Sequence, residues 1–236
     1  MNFYNYLIAI FFVTFAGGLI PLRFAKTKNF IAFAVYFAAG ILIGTSLFSL
    51  LPESIEILGN MTGYSILAGF AIFYLPQKFM LTHPCEEEDC DFHSLGVMAF
   101  IGIAFHAFTD GIAIGSVSEI ADLQVVVGAV MSHKIPASLA LSLMLIASGI
   151  SRGKIVLLMA LFAFATPLGA SITRLFLIDT GSNELVGHAL GFSTGNFLAI
   201  AGSDVLRRLH QQQRSNLAVR LALLITGCFL PLLGSH

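Results

Sequence analysis

Apolar stretches follow one another along this chain with only short polar breaks between them, and that succession limits what it can fold into. A helix needs about 20 predominantly apolar residues to match the hydrocarbon thickness of a bilayer. Eight stretches reach that length: 3–22, 31–51, 61–81, 95–117, 123–149, 154–178, 184–206 and 216–234. The breaks are polar or carry turn residues: RFAKTKN, PESIEILGN, THPCEEEDCDFH, SEIAD, SRGK, DTGSN and RRLHQQQRS. Almost nothing remains for a soluble domain. The expected fold is therefore all-α, a polytopic bundle of eight transmembrane helices in which residues 1–236 form a single domain within the lipid bilayer. Charge supports this, since only 11% of the residues are charged against roughly 25% in soluble domains. The opening MNFYNYLIAIFF lacks the basic segment of a secretory signal, so it reads as a retained first span.

Lys and Arg in the short loops set the orientation. The first, third, fifth and seventh connections carry Arg23, Lys26, Lys28, Lys78, Arg152, Lys154, Arg207, Arg208, Arg214 and Arg220, whereas the other side carries only Arg174. Both termini are thus expected outside, by default at the cell's surface membrane. The outer side is acidic, with Glu53, Glu56, Glu119, Asp122, Asp179 and Glu184. An anionic mouth concentrates cations, although exclusion of Lys and Arg from the outer face produces part of the same pattern. No basic patch or arm points to nucleic acid. Three cysteines, Cys85, Cys90 and Cys228, are too few for a disulfide scaffold. No phosphate loop, dinucleotide fingerprint or HExxH occurs, so no prosthetic group is expected. Gly40–Gly44 and Gly187–Gly191–Gly195 stand at the spacing that lets helix backbones approach; their reading is packing, not chemistry.

Four ionisable residues interrupt the oil of spans four and five: His106, Asp110, His133 and Lys134. Each costs about 2.5–3.5 kcal/mol at mid-bilayer, so mutual satisfaction must offset most of the sum. His106 and Asp110 are four apart and share one helix face. The short SEIAD connection makes spans four and five antiparallel neighbours, able to bring His133 alongside. Two imidazoles and a carboxylate suit a borderline divalent cation such as Zn²⁺, with Fe²⁺, Mn²⁺, Co²⁺ and Cd²⁺ accepting similar ligands. The structural alternative is a His–Asp hydrogen bond and a Lys–Asp ion pair that only hold the bundle. Pro136 removes the hydrogen bond to the carbonyl of Ser132, and loosened backbone at membrane depth is tolerated where it lines a site.

At these residues the chain resembles the ZIP family of divalent metal transporters. HAFTDG stands where that family has its fourth-helix HNxPEG motif, and HKIPAS where it has the fifth-helix (H/Q)(E/D/K)xPH/E motif. TPLGA at 166–170 and SLLPES at 49–54 are similar to the family's PLGA and LLPE stretches. The resemblance implies a transport site between spans four and five, with His106, Asp110 and His133 as ligands. It also implies departures, because the second-metal positions of two-metal relatives are occupied here by Ala107, Lys134, Ala137 and Thr166. A single-metal site follows, with Lys134 standing where the second cation would be, as in the subset of the family with His-Lys on helix five. Separately, a charged ammonium beside a bound cation is repulsive, so Lys134 is expected to weaken binding and assist release.

Other positions carry weaker signals. Ser46, Ser49 and Glu53 stripe span two toward the acidic face, which makes Glu53 a candidate for metal handling at the entrance. Ser193, Asn196 and Ser203 stripe span seven, and either stripe is equally explained by serine bonding to its own helix. The acidic connection at 82–94, on the cytoplasmic side by charge, holds His83, Cys85, Cys90 and His93 as a candidate zinc site, although C-x4-C with bracketing His fits no standard knuckle. Divalent-metal transport toward the cytoplasm, with the ion as cargo, is the leading function. An intramembrane zinc-dependent hydrolase is the alternative; it needs an open coordination position and a general base. A homodimer is kept as a candidate assembly.

Overall fold

The computed structural model describes residues 2–24, 28–82, 89–117, 120–176, 183–211 and 217–234. Among them every regular element is helical. Helix α1 spans Phe3–Phe24 and α2 spans Lys28–Thr45. A π-helical turn, Ser46–Leu50, leads into α3 (Leu51–Leu58), and a 3₁₀ turn, Gly59–Met61, into α4 (Thr62–Thr82). Then follow α5 (Asp89–Ser116), α6 (Ile120–Ala147), α7 (Arg152–Phe176), α8 (Asn183–Gln211) and α9 (Leu217–Phe229), with a closing 3₁₀ segment, Leu230–Gly234.

The region around Pro52 departs from the sequence expectation. PESIEILGN reads as a break, yet Leu51–Leu58 is helical. Proline has no N–H to donate, and its ring crowds the carbonyl four residues back, here Phe48. The backbone answers by widening: the Leu51 N–H bonds to the Ser46 carbonyl, five residues away, and the helix continues. The reversal is confined to Gly59–Met61, where Gly59 adopts φ 56°, a conformation that costs glycine little. The acidic connection is also shorter than expected, since α5 begins at Asp89; an established helix continues beyond its apolar run because that keeps its backbone groups paired.

Five helical segments among the described residues are long and apolar enough to cross a bilayer: Phe3–Phe24, Phe33–Pro76, Gly96–Ser116, Val126–Ala147 and Arg152–Phe176. The expected number was eight. The second and third apolar stretches merge into one 44-residue run, Leu217–Leu232 is shorter, and α8 carries Glu184, His188, Ser193, Asn196 and Ser203 along its length.

The most extensive helix contacts pair α5 with α7, α4 with α8 and α2 with α9, and α5 also lies against α6 and α8. Glycines explain the closeness. A Cβ at Gly111 of α5 would strike the Thr166 carbonyl of α7, and one at Gly169 would strike the Phe108 carbonyl. Gly40 and Gly44 meet the Leu224 and Cys228 carbonyls of α9 in the same way. Dispersion at short range, rather than exclusion from water, holds such helices together in lipid. The outward faces are apolar as well: Leu157, Leu161, Phe164, Leu168 and Leu175 of α7 are exposed, at the i, i+4, i+7 spacing of one helical stripe. The buried side mixes Ile41, Leu42, Ile103, Leu141 and Phe197 with Thr45, Ser46, Ser138, Ser142 and Asn196. Polar groups face in and oil faces out, as a lipid-solvated bundle requires.

Candidate metal centre

Helix α5 contributes His106 and Asp110 and helix α6 contributes His133 and Lys134. Three of them converge on one oxygen of the fourth, Asp110. His106 Nε2 lies 3.4 Å from Asp110 Oδ2, His133 Nε2 lies 3.3 Å from it, and Lys134 Nζ lies 2.7 Å from it. His106, Asp110 and Lys134 are at most 2% exposed and His133 is 8% exposed, so bulk solvent does not screen these contacts. The histidine ring centroids are 5.4 Å apart. Phe197 of α8 sets its ring edge-on to His106 at 4.8 Å, and Lys134 Nζ stands 5.6 Å from the ring centre of Phe162 of α7, within the range of a cation–π contact.

One ligand atom from each of His106, Asp110 and His133 can be chosen so that all three lie within 4.8 Å of one another. Two zinc–ligand bonds of about 2.0–2.1 Å meeting at a tetrahedral angle hold their ligand atoms about 3.3 Å apart. Both His–Asp separations already match that edge, and a modest closing of the imidazoles would complete the face. It is the one such cluster of three His, Cys, Asp or Glu residues among the described residues. Asp110 is also the only carboxylate among the buried side chains described.

The remaining sequence candidates fall out differently. Glu53 is exposed on α3, near enough to Asp110 and His133 to feel their charge. Ala107 and Ala137 are buried, and the Thr166 hydroxyl donates to the Ala107 carbonyl at 2.7 Å. The Thr166 oxygen thus ties α7 to α5. Ser46 donates to its own helix at Leu42 and Ser203 to Ala199. His83 and Cys85 lie outside the described residues, as do the side chains of Cys90 and His93. His188, given no role from sequence, has its Nδ1 2.7 Å from the Ser65 hydroxyl. Sequence reasoning also missed Phe162 and Phe197, because an aromatic in an apolar run carries no mark of which ring or charge it will meet.

A buried two-histidine, one-carboxylate cluster inside bilayer-length helices defines a class: multi-pass membrane proteins with a cation-binding geometry in the core. The comparison with known families is more specific. The model of the ZIP zinc transporter family matches residues 4–89 and 81–234, and the chain belongs to that family. It is 25% identical over 280 residues to Zinc transporter ZIP9-B of Xenopus laevis, covering 94% of this chain and 92% of that protein. It is 25% identical to Zinc transporter ZIP9 of Micropogonias undulatus, covering 97% and 95%. Against Zinc transporter ZIP9 of Macaca fascicularis the identity is 31% over 153 residues, covering 57% and 65%. The protein is a multi-pass metal transporter and not an enzyme, with the ion as cargo. The hydrolase alternative is set aside: the family is one of carriers, and no second buried carboxylate among the described residues stands ready as a general base.

Proposed function

We propose that the chain carries zinc, or a related first-row divalent ion, toward the cytoplasm through a single site formed by His106, Asp110 and His133. The observation that carries this reading is the three ligand atoms within 4.8 Å of one another, buried among mostly apolar and hydroxyl side chains together with Lys134 and Asn196. A two-imidazole, one-carboxylate shell replaces the ion's water and still lets it go, because conduction needs binding strong enough to enter and weak enough to leave. Lys134 occupies the place of a second cation, which puts the chain in the His-Lys subset of its family. With no metal bound it neutralises Asp110; an arriving ion displaces it, and its return helps expel the ion.

Glu53 receives the ion at an acidic outer mouth. The 44-residue run Phe33–Pro76 supplies two crossings, and α8 and α9 complete eight, with both termini outside and residues 1–236 acting as one transport unit in the cell's surface membrane. The connection bearing His83, Cys85, Cys90 and His93 receives the ion in the cytoplasm, and a second copy of the chain is the proposed partner. Uptake into vesicles loaded with a zinc-chelating dye tests the activity. The reconstituted chain is expected to raise dye fluorescence on addition of external zinc, and a trace no different from empty vesicles overturns the reading.

A further inference from the structure

Asn196 lies in the middle of α8, fully buried, and neither atom of its amide has a protein hydrogen-bond partner. A primary amide has two donors and an acceptor oxygen to satisfy, and leaving them unmade in a low-dielectric core is costly. It rests on Gly102 of α5, where an added Cβ would collide with its oxygen and stand 2.7 Å from its nitrogen. Ser193, three residues earlier and hence on the same helix face, is likewise fully buried with an unpartnered hydroxyl. Gly102 is one helical turn before His106, whose own Nδ1 is buried and unpartnered. Glu53, in contrast, adjoins Ser54, whose hydroxyl donates to the Gly187 carbonyl of α8 at 2.9 Å, nine residues before Asn196 and about 14 Å away along the helix axis.

We propose that Asn196 forms a second, oxygen-donor station for the divalent cation, on the side of the His106–Asp110–His133 cluster away from Glu53. This deepens the proposed function and rests on it. A neutral amide oxygen is a weaker ligand for a borderline metal than imidazole or carboxylate, so this station binds in passing and does not compete with the core site. Gly102 keeps the space open, because any side chain there would fill the position the amide occupies. In the proposed orientation the N-terminal end of α5 faces the cytoplasm, which places the station on the exit path.

The experiment pairs zinc binding by calorimetry on the detergent-solubilised full chain with zinc uptake into dye-loaded vesicles. Asn196→Ala is expected to leave zinc affinity within about twofold while slowing uptake about tenfold, the signature of a lost transit step rather than lost binding. Asn196→Asp, nearly identical in shape, places a charged oxygen at the station; it is expected to bind a second zinc and to turn over more slowly. Uptake by Asn196→Ala at the unmodified rate overturns the proposal. Recovery of full uptake in Asn196→Leu, which restores packing without an oxygen, overturns it too. Failure of the underlying reading looks different: Asp110→Ala would then keep both binding and uptake.

Discussion

Helix α5 has two faces with opposite construction. Toward α7 it presents Gly111, whose absent side chain admits the Thr166 carbonyl, and α7 answers with Gly169 against the Phe108 carbonyl. Toward α6 it presents His106 and Asp110, with side chains and charges where the other face has none. The first contact is among the most extensive in the molecule and the second is much smaller. The difference shows how a transporter can hold an expensive site in lipid. The glycine face fixes α5 in place through backbone approach, so the polar face need not supply the packing. Thr166 links the two faces, since its hydroxyl grips the carbonyl of Ala107, the residue after His106.

The largest effect is expected on the glycine side. Gly169→Leu drives a branched side chain into the Phe108 carbonyl, and overpacking of this kind costs about 1–3 kcal/mol. A marked loss of thermal stability in detergent is expected; an unchanged melting temperature would show that the α5–α7 approach is looser than described. On the polar side, Lys134→Ala removes the ammonium 2.7 Å from Asp110. Zinc is then expected to bind about tenfold more tightly, a gain of about 1.4 kcal/mol, with slower turnover and a lower half-saturating concentration. Unchanged calorimetric affinity would remove Lys134 from the release step. The smallest effect is expected at the link. Thr166→Val loses one interhelical hydrogen bond, worth about 0.6 kcal/mol on average in a membrane protein. A slight drop in melting temperature with nearly normal uptake is the expected pair of readings, and a large loss of zinc affinity would make Thr166 a ligand.

These two faces were not equally legible in the sequence. The i, i+4 spacing of His106 and Asp110, and the short connection to the span carrying His133 and Lys134, foretold the neighbours of Asp110, because ionisable residues in lipid have few places to go. Gly40 and Gly44 announced a close approach without naming α9 as its partner. The α5–α7 crossing was invisible, as were Phe197 beside His106 and Asn196 on Gly102. Helices apolar all round carry little periodic signal to say which side meets which neighbour. Pro52 misled for a different reason: it is a helix breaker by rule, and the π turn at Ser46–Leu50 absorbs it without a break.

The transport proposed for this chain turns on Asp110, the carboxylate on which two imidazoles and an ammonium converge. Zinc uptake by Asp110→Ala, measured in dye-loaded vesicles against the same amount of folded, reconstituted protein, tests it most directly. Uptake at the level of empty vesicles is expected, with Asp110→Glu retaining part of the rate because oxygen ligation survives with altered reach. Uptake by Asp110→Ala at the unmodified rate would contradict the claim.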